Sequence, residues 1–524
     1  MDEPAPAPPE HHPPPGDGPP APLPPPVSLN TEHRTPNTPN ETPNTKHESP
    51  PAPRVLASVG AAFVGIFLFV RVVLVEPFGV PTGSMAPTLI GNHREAACPR
   101  CGYPVRVGLP QAGERAGHFA DVPCPNCGKR VTLADTRDVN GDRLLVDKNV
   151  YALRRPRRWE VAVFRCAADH LKPYVKRVVG LPGEEIRITD GDVYAGGELL
   201  RKSLAEVRET AVPVYDLAFA PNPGGWGPRW LAYPADLDAR LPRGDGPRPV
   251  PTADDGVLRD GGLVLDASAS PQLEVRLEYR HWNLDEGREE VIRSGISYDG
   301  PGRGSGNTYA AHDFSVRCEL EVGAAGKDSS FACRLFDGAD AVAADLPVGP
   351  RATAGPASLS HDRLGGLSAA GGVALEPGRT YALEFALVDR RATLALDGRV
   401  VVPPADLDPQ PKRGDVRRPL QLGVRGCKVT VRNLKLYRDI HYTQSGRNGT
   451  RAPARLGPDE FFVLGDNSGN SQDSREWDAP GVPEADFIGK PFFIHQPLRL
   501  GRVTVGGRER VVQTLDWSRL RWLH

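Results

Sequence analysis

Two residues in this chain have the types and surroundings to do chemistry together. Ser84 stands in Val80-Pro81-Thr82-Gly83-Ser84-Met85-Ala86-Pro87, and Lys176 in Tyr174-Val175-Lys176-Arg177-Val178-Val179. A serine hydroxyl is a weak nucleophile until a neighbouring base takes its proton. Histidine usually does so, but the thirteen histidines here are too scattered for a histidine-based triad or a second metal site. A lysine serves instead if desolvation lets its ammonium lose its charge near neutral pH. Gly83 between Pro81 and Pro87 predicts a tight turn that exposes the Ser84 hydroxyl and leaves backbone N–H groups for an oxyanion. The β-branched and aromatic run around Lys176 predicts a strand that holds the amine rigidly among apolar neighbours. Taken alone, the pair reads far more readily as a turn serine and a solvated strand lysine.

Two further phrases change that weighting. Gly141-Asp142-Arg143-Leu144-Leu145-Val146-Asp147-Lys148 follows the serine turn, and Gly465-Asp466-Asn467-Ser468-Gly469-Asn470-Ser471-Gln472-Asp473-Ser474-Arg475 follows the lysine strand. Together the four phrases, in this order, resemble the type I signal peptidases, over about residues 75–90, 139–185 and 461–490. The resemblance implies that Ser84 is the nucleophile and Lys176 the general base. It also implies that Thr82 lends its hydroxyl to the oxyanion hole and that Ser471 orients the lysine amine. Asp473 and Arg475 are then a supporting ion pair, Asp466 and Asn467 shape the turn, and Phe78, Val80, Met85 and Val175 line pockets for small signal-peptide side chains. The family's reaction needs no cofactor.

The elements that must position these groups are spread over 524 residues, enough for about three domains. A formal net charge of −1 with scattered basic residues carries no nucleic-acid signal. Residues 1–53 are rich in proline, asparagine and threonine, cannot bury a core, and are expected to be disordered. Residues 54–75 are apolar or small apart from flanking Arg54 and Arg71 near the far end, and read as one transmembrane helix. A cleavable leader is the rival; the long polar lead and the lack of a small-x-small site after the apolar run weigh against it. Charge only leans toward an inside tail. The resemblance implies a bacterial inner-membrane protein, single-pass, with its catalytic part on the periplasmic side.

Two insertions interrupt the resemblance. The first carries Cys98-Pro99-Arg100-Cys101-Gly102 and Cys124-Pro125-Asn126-Cys127-Gly128, paired knuckles with the spacing of a four-thiolate structural zinc site. Two disulfides are the alternative in an exported protein. The second insertion alternates apolar and polar residues strand after strand, as in Phe314, Val316, Cys318, Leu320 and Val322, or Val429 and Val431, with an Asp397-Gly398 turn. Such a pattern predicts an antiparallel β-sandwich, similar in pattern to jelly rolls, with Trp226, Trp230 and Trp282 as a candidate ligand face or as packing. Cys318 and Cys333 are candidates for a bridge or for two buried thiols.

The expected fold class is mainly β: a signal-peptidase-type coiled-sheet core with one N-terminal membrane helix, a zinc-ribbon-like insertion and an inserted sandwich. The expected boundaries are tail 1–53, helix 54–75, core 76–97, zinc insertion 98–131, core 132–202, sandwich 203–445 and core 446–524. The expected function is removal of signal peptides from exported preproteins at a lipid bilayer. A membrane-anchored binding protein acting through the sandwich, with an inactive protease core, is the alternative. A self-cleaving repressor of the related serine–lysine type lacks the DNA-binding helices it would need.

Overall fold

The computed structural model describes residues 52–69, 75–110, 122–166, 169–219, 229–233, 250–251, 258–259, 261–272, 274–300, 308–350, 355–409 and 412–523. The proline-rich tail expected at 1–53 lies outside them except for its last two residues, as do Arg71 and Trp226. A helix runs Ala52–Phe69, 18 residues with none acidic in its first turn and none basic in its last. Among the described residues no helix is long and apolar enough to cross a membrane. The span expected over 54–75 runs on through 70–74, which lie outside the description.

The four phrases converge because one antiparallel sheet orders their strands. From its edge it runs Val75–Gly79, Arg143–Asp147, Phe487–Ile494, Val161–Cys166, Asp169–Gly180, Glu460–Leu464 and Val482–Pro483, with Arg521–Trp522 paired to the third. The first strand leads into the serine turn, the fifth carries Lys176, and the sixth ends at Leu464, one residue before Gly465. Alternation along the fifth strand divides its side chains between two cores. Val175 joins Val80, Met85, Leu144, Val146 and Val163. Tyr174 and Val178 join Ala162, Phe164, Phe461 and Phe487. Lys176 shares the phase of Tyr174 and Val178, so the strand period itself carries it out of water.

The predicted cysteine insertion is a small β unit: Pro104–Gly108 pairs with His93–Ala97, and Val122–Pro123 with Arg130–Val131. Beyond residue 203 the chain builds a 15-stranded sheet around two long strands, Phe314–Phe336 and Leu420–Arg438, paired antiparallel with three shifts of register. Their core is continuous and apolar, and includes Phe314, Val316, Leu320, Phe331, Val429 and Val431. The expected Asp397-Gly398 turn is present, both residues at positive φ. A second such turn, Asp389-Arg390, has no glycine to mark it in the sequence. Cys318, Cys333, Cys166 and Cys427 are buried free thiols, so the bridge considered for Cys318 and Cys333 is not formed. Trp230 is buried against Tyr215 and Tyr279, a packing role. Trp282 is half-buried with Arg280 over its ring at 4.2 Å.

Candidate active site

Lys176 is 2% exposed, and its Nζ donates to Ser471 Oγ at 2.9 Å. Burial pulls its pKa down to about 8 from the ordinary 10.5, against the opposing pull of the Asp473 carboxylate. Asp473 is itself paired, and the Arg475 charge beside it pulls the lysine the other way. Arg475 Nε donates to Asp473 Oδ1 at 2.8 Å and Nη2 to Oδ2 at 2.7 Å, both residues wholly buried. Burial would raise the Asp473 carboxyl, yet Arg475 holds it below the usual carboxylate range. The remaining Arg475 hydrogens go to Thr443 and Ser468. A fully bonded pair of this kind leaves the lysine with a hydroxyl, not a counter-ion.

Asp466 meets Arg177 in a second buried pair, Nε to Oδ1 at 2.8 Å and Nη2 to Oδ2 at 2.6 Å. Arg177 sits beside Lys176 on the strand but projects to the opposite side, where Nη1 also bonds the Trp159 carbonyl at 2.6 Å. The two acids of the Gly-Asp-Asn box are thus each matched to an arginine, one before it in the chain and one within it.

Ser84 is half-buried. The Asn467 backbone N–H donates to Ser84 O at 3.0 Å, and Asn467 Nδ2 donates to Gly83 O at 3.0 Å. A side chain at Gly465 would start 2.2 Å from Ser471 Oγ and 2.5 Å from Ser84 O, so the serine turn and the lysine's partner crowd the same glycine. The Ser84 hydroxyl makes no hydrogen bond among the described residues. Asp142 holds the turn from behind: Val80 N–H donates to Asp142 O at 2.9 Å and Ile90 N–H to Asp142 Oδ2 at 2.7 Å. Thr82 is half-buried on the same turn.

Phe78, Val80, Met85 and Val175 share one apolar cluster. Val80 and Met85 are buried in it, whereas Phe78 and Val175 are half-buried and offer the open surface. The residues missed in the sequence are Arg177, Thr443, Ser468 and Asp299. Arg177 had a signal in its place next to the lysine and Ser468 in its place within the Gly-Asp-Asn phrase; Thr443 and Asp299 had none.

Cys98, Cys101, Cys124 and Cys127 bring their four sulfurs within 4.8 Å of one another. The Cys98–Cys127 and Cys101–Cys124 sulfurs are 3.6 and 3.7 Å apart, too far for disulfides. A tetrahedron of thiolates about 2.3 Å from zinc has edges of about 3.8 Å, which these spacings match. Gly102 and Gly128 N–H close the knuckle turns onto Cys98 O and Cys124 O at 2.9 and 2.8 Å. The four thiols can hold a metal. Asp340, His361 and Asp362 also cluster, contrary to the expectation of no second grouping, but Asp340 is already bonded by Arg390 and Arg363. A cavity of about 710 Å³ lies behind the box, lined by Tyr103, Arg438, His441, Asp299 and Asn467, without Ser84 or Lys176.

The family model described as signal peptidase, peptidase S26, matches residues 132–223 and 392–496, which include Lys176 and the whole Gly-Asp-Asn box but not Ser84. A probable signal peptidase I-2 of Synechocystis is 36% identical over 91 residues, 16% of this chain and 39% of that protein. Signal peptidase I of Pseudomonas aeruginosa is 32% identical over 140 residues, 26% of this chain and 36% of that protein. Signal peptidase I of Rickettsia typhi is 26% identical over 138 residues, 26% of this chain and 41% of that protein. The chain thus spans about two fifths of the length of these relatives. Among solved structures, a carbohydrate-binding module from Bacillus subtilis is similar over 25% of this chain and 79% of that one at 13% identity, with a TM-score of 0.19.

Proposed function

We propose that this chain, a relative of the type I signal peptidases, is a serine endopeptidase that removes N-terminal signal peptides from exported preproteins. The observation that carries the reading is Lys176, buried without a counter-ion, bonded to Ser471 and facing the turn of Ser84. Ser84 Oγ attacks the scissile carbonyl while neutral Lys176 takes its proton. The Ser84 N–H and the Thr82 hydroxyl receive the oxyanion. Lys176 then protonates the leaving amine and activates the water that releases the acyl-enzyme. Phe78 and Val175 meet the small side chains before the cut. In detergent, the full chain should cleave a labelled preprotein and Ser84→Ala should leave it whole; processing by that variant refutes the assignment.

The reading extends to the remaining parts. The boundaries set out above divide the chain into core segments and two insertions, the second a β-sandwich whose ligand is open. The stretch 54–75 anchors the protein as a single span with the core on the outer face of the inner membrane. Exposed Trp517 and Trp522, 72% and 61% accessible, support a lipid surface close to the core. The four cysteines hold one structural zinc, with no position left for water. Metal analysis of the purified protein should find about one zinc per chain; metal-free protein with two disulfides at 98–127 overturns that part.

A further inference from the structure

The serine turn is held not only by the core but by the second insertion. Asp299, in the one-turn helix Ser297–Asp299, lies 168 positions before Asn467 in the chain. Its Oδ1 accepts from Asn467 Nδ2 at 2.6 Å and from Asn470 Nδ2 at 3.2 Å. The same Asn467 Nδ2 donates to Gly83 O at 3.0 Å. A carboxylate and a carbonyl only accept, so both hydrogens of the Asn467 amide are committed and its orientation is set. Tyr298 closes the other side. A side chain at Gly83 would start 1.9 Å from Tyr298 Cε1, and Tyr298 Oη donates to Asn92 O at 3.1 Å. The ring packs on Ala86 and Ile90 of the same turn.

The consequence follows from peptide geometry. The Gly83–Ser84 peptide is planar and trans, so its C=O and its N–H point in opposite directions. The Gly83 oxygen accepts from the Ala86 N–H within the turn at 3.0 Å and from Asn467 outside it, and what fixes that oxygen fixes the direction of the Ser84 N–H, the donor assigned above to the oxyanion. We infer that Asp299 is a positioning residue: through Asn467 it aims the Ser84 N–H, so the insertion completes the oxyanion hole. The inference rests on Ser84 being the nucleophile. An oxyanion donor is effective only when pre-oriented, because reorganisation during the reaction would consume the stabilisation it supplies.

The test uses the full chain in detergent with a labelled preprotein, comparing kcat and KM for wild type, Asp299→Ala, Asp299→Asn, Asn467→Ala and the Asp299→Ala/Asn467→Ala double variant. Losing a donor outright costs 10²–10³ in kcat, and misaiming one should cost about 10-fold. Asp299→Ala should therefore lower kcat about 10-fold with KM within about twofold. Asp299→Asn, whose amide oxygen still accepts from Asn467, should recover most of the rate. Asp299→Ala should cost nothing further when Asn467 is already Ala. Affinity for a peptide aldehyde, whose adduct needs the same donor, should fall in parallel with kcat. Should Asp299→Ala not fold, Asn467→Ser carries the test and must show the same kcat loss at unchanged KM. Wild-type kcat in Asp299→Ala or Asn467→Ser, a change in KM alone, or losses that multiply in the double variant would overturn the inference. Cleavage by Ser84→Ala would instead overturn the function it rests on.

Discussion

Two buried lysines, 26 residues apart, have been given opposite surroundings. Lys176 and Lys202 are 2% and 3% exposed. Lys176 has a serine hydroxyl for a partner, and burial takes its pKa down to about 8. Lys202 Nζ bonds Asp389 at 3.0 Å and Asp439 at 2.8 Å and stands 4.3 Å from the Trp159 ring centroid. Burial pulls its ammonium down as well, but the two carboxylates outweigh that and hold it above the ordinary lysine value. Equal desolvation therefore eases loss of the proton in one place and leaves a permanent cation in the other. The counter-ion decides. Lys202, in the link between the strand Glu198–Leu199 and the helix Leu204–Glu209, meets acids more than 180 residues later, an ion cluster that joins the core to the insertion.

The contrast is broken most severely at the first lysine. Lys176→Ala should lower preprotein cleavage by about 10⁴-fold or more, measured under single turnover. Next is Lys202→Met, which leaves two buried carboxylates without their cation. It should destabilise by about 3–5 kcal/mol, read from denaturant unfolding. Lys176→Met should do the reverse. Its folded pKa of about 8 lies below the ordinary 10.5, so the unfolded chain holds more protons between those values. Stability therefore rises with pH across about 8 to 10.5, and below 8 the site carries its full penalty. At pH 7 Lys176→Met should raise Tm by a few degrees, a gain that disappears toward pH 10.5. An unchanged or lower Tm at pH 7 would mean that Lys176 is not strained by its burial.

The smallest effect sharpens the comparison. Wild-type kcat/KM should climb about tenfold per pH unit toward a plateau near pH 8, since only the neutral amine accepts the proton. Ser471→Asp would give Lys176 the kind of partner Lys202 has. Its plateau should move up by about one pH unit or more, and a profile that stays in place would contradict the role given to the missing counter-ion.

Much of the site was legible because its chemistry is carried by short local phrases. Gly83-Ser84 with flanking prolines predicts a turn from φ restrictions alone, and a turn is what positions Ser84. Val175, Lys176 and Val178 sit in a strand because β-branched neighbours favour one, and period two then buries the lysine. The cysteine knuckles were legible for the same reason: spacing and a following glycine define each loop locally. Arg177 was harder, since nothing in Lys-Arg says which side chain finds a hydroxyl and which an acid. The boundary of the first helix was harder still; the apolar run continues beyond Phe69 into residues outside the description.

By itself the sequence determined residue types, their order and the local conformations that φ restrictions and side-chain period enforce. From these came a serine on a turn, an amine on a strand, four thiols on two knuckles and a chain dominated by strands. Only the tertiary structure decided which charges meet. Asp466 meets Arg177 across 289 positions, and the Asp299 carboxylate meets the Asn467 amide across 168, whereas the Asp473–Arg475 pair was already implied by the resemblance. Electrostatic energy depends on distance in space and on exclusion of water, and neither quantity is written in the order of residues. The reactivity of Lys176 comes from that same source, as an amine buried where every nearby acid already has a partner.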